Sequence, residues 1–160
     1  MIVPSKVKRC LDDWGLATLH HTVPIYRGTG LQMSYGDGYI TIPRWQTLRA
    51  RFDPNYHRSI LHEYGHAYLD LCDALTRTRL TQVFGSFTLV NYPSRLKCLT
   101  GWLIPRPDGF VSGYATLHAV EDFAETFARV VVGDVCTSKK MCSVRDTLNS
   151  RSRPYSARRS

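Results

Sequence analysis

The clearest pattern in the sequence is a run of apolar residues at helical spacing between residues 55 and 78. The residues at intervals of three and four are Ile60, Leu61, Tyr64, Tyr68, Leu71 and Leu75. The stretch contains no proline and a single glycine, Gly65. A glycine inside a helix costs about 1 kcal/mol relative to alanine, so we expect another backbone to approach the helix closely at this point.

Two further stretches have helical character. Residues 117–132 keep the same spacing, with Thr116 suited to an N-cap and Gly133 suited to the C-terminal end. Apolar residues within residues 3–22 predict a shorter opening helix that ends near Gly15. The chain therefore offers one opening, one central and one late helix.

Alternating apolar and polar residues predict a β-hairpin from Leu31 to Ile42. The two strands flank Gly36-Asp37-Gly38, and Pro43, which has no backbone N–H, ends the second strand. One more strand is predicted around residues 84–90, in a stretch that is otherwise rich in turn residues. A small sheet with long helices indicates the α+β class.

Length and charge divide the chain into a core domain and a tail. With 160 residues, of which 43% are hydrophobic, one domain is expected, and we assign residues 1–145 to it. The net charge is +8, and residues 145–160 carry five arginines against one aspartate. We expect residues 146–160 to form a basic, Ser/Arg-rich, disordered tail. A tail of this composition can bind an acidic partner or nucleic acid.

Composition also bears on location. No run reaches the roughly 18 apolar residues that a membrane span needs, so no span is expected, and the N-terminal stretch lacks the apolar segment of a secretory signal. The five cysteines are odd in number and include no Cys-x-x-Cys pair, which favours reduced thiols. These features predict a cytoplasmic protein, and they leave open export by a route that uses no signal peptide.

The central helix carries the pentapeptide HEYGH, residues 62–66. On a helix, His62 and His66 are one turn apart, so both imidazoles can reach one Zn²⁺ ion. Glu63 lies about 100° round the helix, where its carboxylate can take a proton from a water activated by the metal. Two buried core histidines would give the same spacing, so the motif needs a third ligand to support it.

The distribution of glutamate indicates where that ligand lies. Only three of the 13 acidic residues are glutamates, and one of them is Glu63. The other two, Glu121 and Glu125, are four residues apart on one face of the late helix. A glutamate on a helix packed against the HEYGH helix would complete a His₂Glu zinc site with an open fourth position. An exposed glutamate pair on a solvated face is the alternative.

The two motifs together resemble those of the gluzincin metallopeptidases. HEYGHAYLD is followed some fifty residues later by SGYATLHAVEDFAETFA, in which Tyr114, Glu121 and Glu125 stand at intervals of seven and four. The chain looks most similar to the lethal-factor-type catalytic domain and to small bacterial "putative zinc-binding metallopeptidases". The resemblance covers residues 59–70 and 112–129.

The resemblance implies a zincin-like single domain and a role for each matching residue. Glu121 matches the zinc ligand that joins the two histidines, and Glu125 matches a carboxylate that supports the ligands. Tyr114 matches a hydroxyl that assists at the developing oxyanion. His118 stands where the family often has Asn or Pro, and it could add a ligand.

Asp70 offers a further supporting carboxylate. It follows His66 by four residues on the same helix face, where it could accept the second ring N–H of a ligand histidine and fix its tautomer. A solvent-facing aspartate is the alternative.

The sequence therefore predicts a zinc metalloendopeptidase with one Zn²⁺ per chain and a protein or peptide as substrate. Two other functions stay open: a zinc-stabilised binding protein with a vestigial site, and a protease that is delivered to nucleic acid by its basic tail. An intact general base at Glu63 favours the peptidase, because a purely structural site has no need of it.

Overall fold

The computed structural model describes residues 3–50, 53, 55–85, 87 and 109–152. The helices are α1 (Ser5–Asp13), α2 (Ala17–Thr22), α3 (Arg44–Arg49), α4 (Tyr56–Leu71), α5 (Ala74–Phe84), α6 (Ala119–Val132) and α7 (Lys139–Ser152). The strands are β1 (Ile25–Gly28), β2 (Ser34–Gly36) and β3 (Tyr39–Pro43), and a 3₁₀ turn spans Tyr114–Thr116. The described part of the chain is thus a small α+β fold, as the pattern predicted.

The three strands form a mixed sheet in the order β1-β3-β2. Strand β1 runs parallel to β3, whereas β2 pairs with β3 antiparallel and forms the predicted hairpin. Asp37 and Gly38 make its turn with φ angles of 51° and 79°, the left-handed conformation that a two-residue hairpin turn requires. The first strand of this hairpin, β2, begins at Ser34 and not at Leu31, which is 87% exposed. Strand β1 was not predicted, because four residues are too few to show a pattern.

The central helical pattern is divided between two helices. Helix α4 ends at Leu71, the backbone of Cys72 is extended, and Asp73 caps α5 by accepting a hydrogen bond from the Thr76 N–H at 2.7 Å. The prediction of one helix over residues 55–78 was therefore wrong at its end. Apolar spacing continues across the break, and only the Asp73 cap reveals it.

Two shorter predictions have different outcomes. The opening helical segment is present as α1 and α2, and Gly15, with φ 68°, lies in the turn between them. Of the strand predicted over residues 84–90, Phe84 is the last residue of α5, and residues 88–90 lie outside the described residues.

Helix α6 has a different N-cap from the one expected. His118 is the N-cap, and its Nδ1 accepts a hydrogen bond from the Glu121 N–H at 3.4 Å, while Thr116 belongs to the preceding 3₁₀ turn. At the other end Gly133 adopts φ 97° and closes the helix as predicted.

Helix α4 packs most extensively on α6 and also contacts strands β2 and β3 of the sheet. The tight point is at Gly65, where an added Cβ would lie 2.9 Å from the Cα of Ala124. This confirms the expected close approach of another backbone. Beside it, the ring of Tyr68 packs on Phe123 and Phe127, with centroid distances of 6.2 and 5.4 Å.

The boundary expected between the domain and its tail falls inside α7. Met141, Val144 and Leu148 lie on one face of this helix and are buried. Helix α7 thus continues through Ser152, into the stretch that was assigned to the tail. Residues 153–160 of the predicted tail, with any acidic partner or nucleic acid they bind, lie outside the described residues.

None of the helices that the structure describes combines the length and the apolar character needed to cross a membrane.

Candidate metal centre

Three side chains converge where α4 crosses α6. His62 Nε2 lies 3.1 Å from His66 Nε2 and 2.9 Å from Glu121 Oε2, and His66 Nε2 lies 3.5 Å from the same oxygen. The two histidines project from one face of α4, and Glu121 comes from the first turn of α6. Among the described residues, these three form the group of donor atoms that could hold a metal ion.

The spacing of the three atoms fits a zinc ion. A tetrahedral zinc with bonds of about 2.0–2.1 Å holds its ligand atoms about 3.3 Å apart. Moreover, Glu121 Oε2 is buried and makes no hydrogen bond within the described residues, although two imidazole nitrogens lie within 3.5 Å of it. A cation between the three groups would satisfy this oxygen, and nitrogen and oxygen donors of this kind suit zinc.

The charges of the ligands support one another. Burial lowers the pKa of His62, but the carboxylates of Glu121 and Glu125 outweigh it and raise the pKa to about 10. Burial raises the pKa of Glu121, and the imidazoles of His62 and His66 outweigh it and hold that pKa well below its usual range. Without a metal, the protein therefore keeps a proton at the site, and a bound cation would displace it.

Glu125 lies behind His62, on the side away from the other ligands. Its Oε1 is 2.9 Å from His62 Nδ1, so it can keep that nitrogen protonated and leave Nε2 as the donor toward the metal. The Ser112 Oγ, next to Glu125, accepts a hydrogen bond from the Ala115 N–H at 3.1 Å. Burial raises the pKa of Glu125, but His62, Ser112 and Arg129 bring it below its usual range.

Glu63 is buried beside the ligands without being one of them. It stands next to His62, about 100° round α4 from it, and it does not belong to the group of ligand atoms. Burial raises the pKa of Glu63, and the two neighbouring imidazoles only partly oppose this. The backbone N–H of Tyr35 in β2 also opposes the rise in this pKa.

Tyr114 stands at the mouth of the site. Its ring centroid is 5.8 Å from that of His62, and 38% of its surface is exposed. Burial and the nearby carboxylates, Glu121 and Glu63 first among them, raise the pKa of Tyr114 to about 12. The phenol therefore keeps its proton at neutral pH and can act as a hydrogen-bond donor.

Asp70 and His118 do not take the places considered for them. Asp70 is exposed, and no hydrogen bond joins it to His62 or His66 in the part of the chain that the structure describes. Its carboxylate is instead a neighbour of Tyr35, and burial together with this carboxylate raises the pKa of the Tyr35 hydroxyl. His118 caps α6, and its Nε2 lies 3.8 Å from Glu121 Oε1, outside the group of ligand atoms.

Two residues around the site were missed from the sequence. Ser112 gave no signal beyond its place two residues before Tyr114. Tyr35 was recognised as a strand residue, but its contacts with Glu63 and Asp70 depend on how the hairpin packs on α4, which apolar spacing does not determine.

One comparison with known proteins gives a match. The model of a family described as "Putative zinc-binding metallo-peptidase" matches residues 46–157. No curated protein and no solved structure matches the chain. The matched range includes both helices of the metal centre and Tyr114, and it begins after the hairpin.

Proposed function

The chain belongs to the "Putative zinc-binding metallo-peptidase" family, and we propose that it is a gluzincin-like zinc metalloendopeptidase that holds one Zn²⁺ on His62, His66 and Glu121. The observation that carries the proposal is the convergence of these three donor atoms, within 3.5 Å of one another, beside a buried glutamate that is not a ligand. A purely structural site would have no use for that glutamate.

Zinc would supply Lewis acidity, which polarises a peptide carbonyl and lowers the pKa of water toward neutrality. Glu63 is the group that moves the proton. Its carboxylate takes a proton from the water that attacks the carbonyl carbon, and then gives it to the amine that leaves. The elevated pKa of Glu63 suits both steps, because a base works best when its pKa lies near the working pH.

Tyr114 would donate its hydroxyl proton in a hydrogen bond to the oxyanion that forms at the carbonyl oxygen. A pKa of about 12 keeps that proton in place at neutral pH. Glu125 would hold the Nδ1 proton of His62, so that Nε2 remains a ligand throughout.

The architecture is consistent with a zincin-like domain. Helix α4 contacts both the small sheet and the glutamate helix α6. Strand β2 is at the edge of the sheet, next to α4, and an extended peptide could add alongside it. We propose on this basis that the substrate is an extended segment of a protein or peptide.

Metal analysis combined with a hydrolysis assay tests the proposal. Wild-type protein, Glu121→Ala, Glu63→Gln and a control, His21→Ala, would be purified with zinc and assayed on fluorescein-labelled casein. We expect about one zinc per chain in wild type and control, much less in Glu121→Ala, and full zinc without hydrolysis in Glu63→Gln. His21 is an exposed histidine in α2, so its removal controls for incidental zinc binding.

Two outcomes would overturn the proposal in different ways. Full zinc in Glu121→Ala would show that the third ligand is another residue. Full zinc in wild type, with no hydrolysis of casein or of a peptide library, would favour the zinc-stabilised binding protein.

A further inference from the structure

His118 lies at the start of α6, three residues before Glu121 in the chain. Its backbone is extended, with φ −163° and ψ 168°, and it forms the N-cap of the helix. The side chains of both residues are mostly buried, with 17% of His118 and 13% of Glu121 exposed. The imidazole is therefore packed against the first turn of α6, the turn that carries the third donor atom of the metal centre.

The ring of His118 meets both the backbone and the side chain of Glu121. Its Nδ1 accepts a hydrogen bond from the Glu121 N–H at 3.4 Å, and its Nε2 lies 3.8 Å from Glu121 Oε1. A ring nitrogen that accepts a hydrogen bond carries no proton, so the proton of a neutral imidazole is on the other nitrogen. The polar N–H of the ring is thus at Nε2, next to the carboxylate. At 3.8 Å the contact is electrostatic and is not a hydrogen bond.

The two carboxylate oxygens of Glu121 have different neighbours. Oε2 lies 2.9 Å from His62 Nε2 and 3.5 Å from His66 Nε2. Oε1 is the oxygen next to His118. A glutamate three residues after a Ser or Thr N-cap commonly folds back to the backbone N–H of the cap, in the arrangement called a capping box. Here the Glu121 carboxylate is directed to the histidines of α4 instead.

We propose that His118 is a positioning residue for Glu121. By accepting from its N–H and lying next to its Oε1, the imidazole holds the carboxylate with Oε2 toward His62 and His66. The inference rests on the proposed function, in which Glu121 is a zinc ligand. It gives His118 a role other than that of an additional ligand, in keeping with its place outside the group of ligand atoms.

Two substitutions of His118 separate this role from capping. His118→Thr supplies a hydroxyl that can cap α6, and it gives residues 118–121 the Thr-x-x-Glu pattern of a capping box. That box would favour the helix but draw the Glu121 carboxylate back toward the N-cap. His118→Ala removes the cap and the contact together. His21→Thr makes the same chemical change in an exposed histidine of α2 and is the matched control.

Chelator competition measures zinc affinity, and urea denaturation in EDTA measures the stability of the metal-free protein. Loss of an outer partner of a metal ligand typically lowers metal affinity about 10- to 100-fold, and a 3.8 Å contact belongs at the lower end. We therefore expect His118→Thr to bind zinc about tenfold more weakly than wild type, with an unchanged or higher urea midpoint. His118→Ala should lose both affinity and stability, and His21→Thr should lose neither.

The outcome for His118→Thr decides the proposal. Wild-type zinc affinity in this variant would overturn it. Weaker binding together with a lower urea midpoint would also overturn it, because His118 would then act only through the start of α6. A wild type that binds zinc and cleaves no peptide would overturn the proposed function, and the zinc affinities would still decide the role of His118. A wild type that binds no zinc would overturn both.

Discussion

The backbones of Gly65 and Ala124 are in contact at the crossing of α4 and α6. An added Cβ on Gly65 would lie 2.9 Å from the Ala124 Cα and 3.3 Å from its carbonyl oxygen. Gly65 directly precedes the ligand His66, and Ala124 stands three residues after the ligand Glu121, about one turn along α6. The separation of the two helices at this contact therefore sets the distances between the ligands of the metal centre.

Gly65→Ala is expected to weaken both the fold and the metal site. Overpacking in a core costs about 1–3 kcal/mol, and the better helix propensity of alanine returns up to about 1 kcal/mol. We expect a net loss of about 1–2 kcal/mol in the free energy of unfolding, measured by urea denaturation, and weaker zinc binding, measured by chelator competition.

Gly30→Ala is the matched control for this change. Gly30 lies in an exposed loop, and its added Cβ would meet only Gln32 O at 3.8 Å, an ordinary contact. If Gly65→Ala were as stable as Gly30→Ala and bound zinc as tightly as wild type, the contact would not set the ligand geometry.

The ligands and their helices could be predicted because each rests on a local pattern. The spacing of His62 and His66 is a property of one helix, and that of Glu121 and Glu125 of another. The glycine between the histidines even indicated that a backbone would approach there, although not which one.

The supporting residues could not be predicted, because their partners come from distant parts of the chain. Asp70 stands one turn after His66, so the helix alone favoured a histidine as its partner. The hairpin places the Tyr35 hydroxyl there instead. In the same way, composition gave no signal for α7, whose buried residues Met141, Val144 and Leu148 pack on distant parts of the chain.

Ser112→Ala is expected to weaken zinc binding without removing a ligand. The Ser112 hydroxyl helps to lower the pKa of Glu125, which lies against His62 Nδ1, and its oxygen accepts from the Ala115 N–H in the turn that carries Tyr114. Loss of such an outer partner typically costs 10- to 100-fold in metal affinity, and we expect the lower end, about 10-fold. Chelator competition would measure it.

Two variants bracket this effect. Ser112→Thr keeps the hydroxyl and should retain most of the zinc affinity. Ser150→Ala removes the hydroxyl of an exposed serine in α7 and should leave the zinc affinity unchanged. Wild-type affinity in Ser112→Ala would mean that Glu125 is held in place without Ser112.

The stability of the metal-free protein should depend on pH in a defined direction. In the folded protein, burial lowers the pKa of His62, but the carboxylates of Glu121 and Glu125 raise it more. The pKa therefore moves from 6.5 to about 10. The stabilisation of the fold that comes from this shift is complete below about pH 6.5 and is lost as the pH rises toward 10. The pKa of Glu121 is lowered from 4.5, so its contribution is present above that value and is lost as the pH falls. The site therefore stabilises the metal-free fold most between about pH 4.5 and pH 6.5.

Urea denaturation in EDTA from pH 5 to pH 9 would measure this dependence, with equimolar zinc as the comparison. Since zinc displaces the proton from His62 Nε2, the stabilisation by zinc should grow as the pH rises over the same range. Glu121→Gln should flatten the profile in EDTA. A wild-type profile as flat as that of Glu121→Gln would contradict the coupling between His62 and Glu121.

Lys140→Met is expected to unfold the contact between α6 and α7. The Asp122 carboxylate is fully buried in α6, and the Lys140 ammonium of α7 binds it while lying 4.0 Å from the ring centroid of Phe110. Lys140→Met takes the ammonium away from a fully buried carboxylate, and we expect a loss of about 3 kcal/mol in the free energy of unfolding. Adding Asp122→Asn should restore most of it, which a double-mutant cycle would measure. Lys139→Met, in the exposed neighbouring lysine, is the control, and an equal effect of the two methionine variants would show that the ion pair contributes nothing.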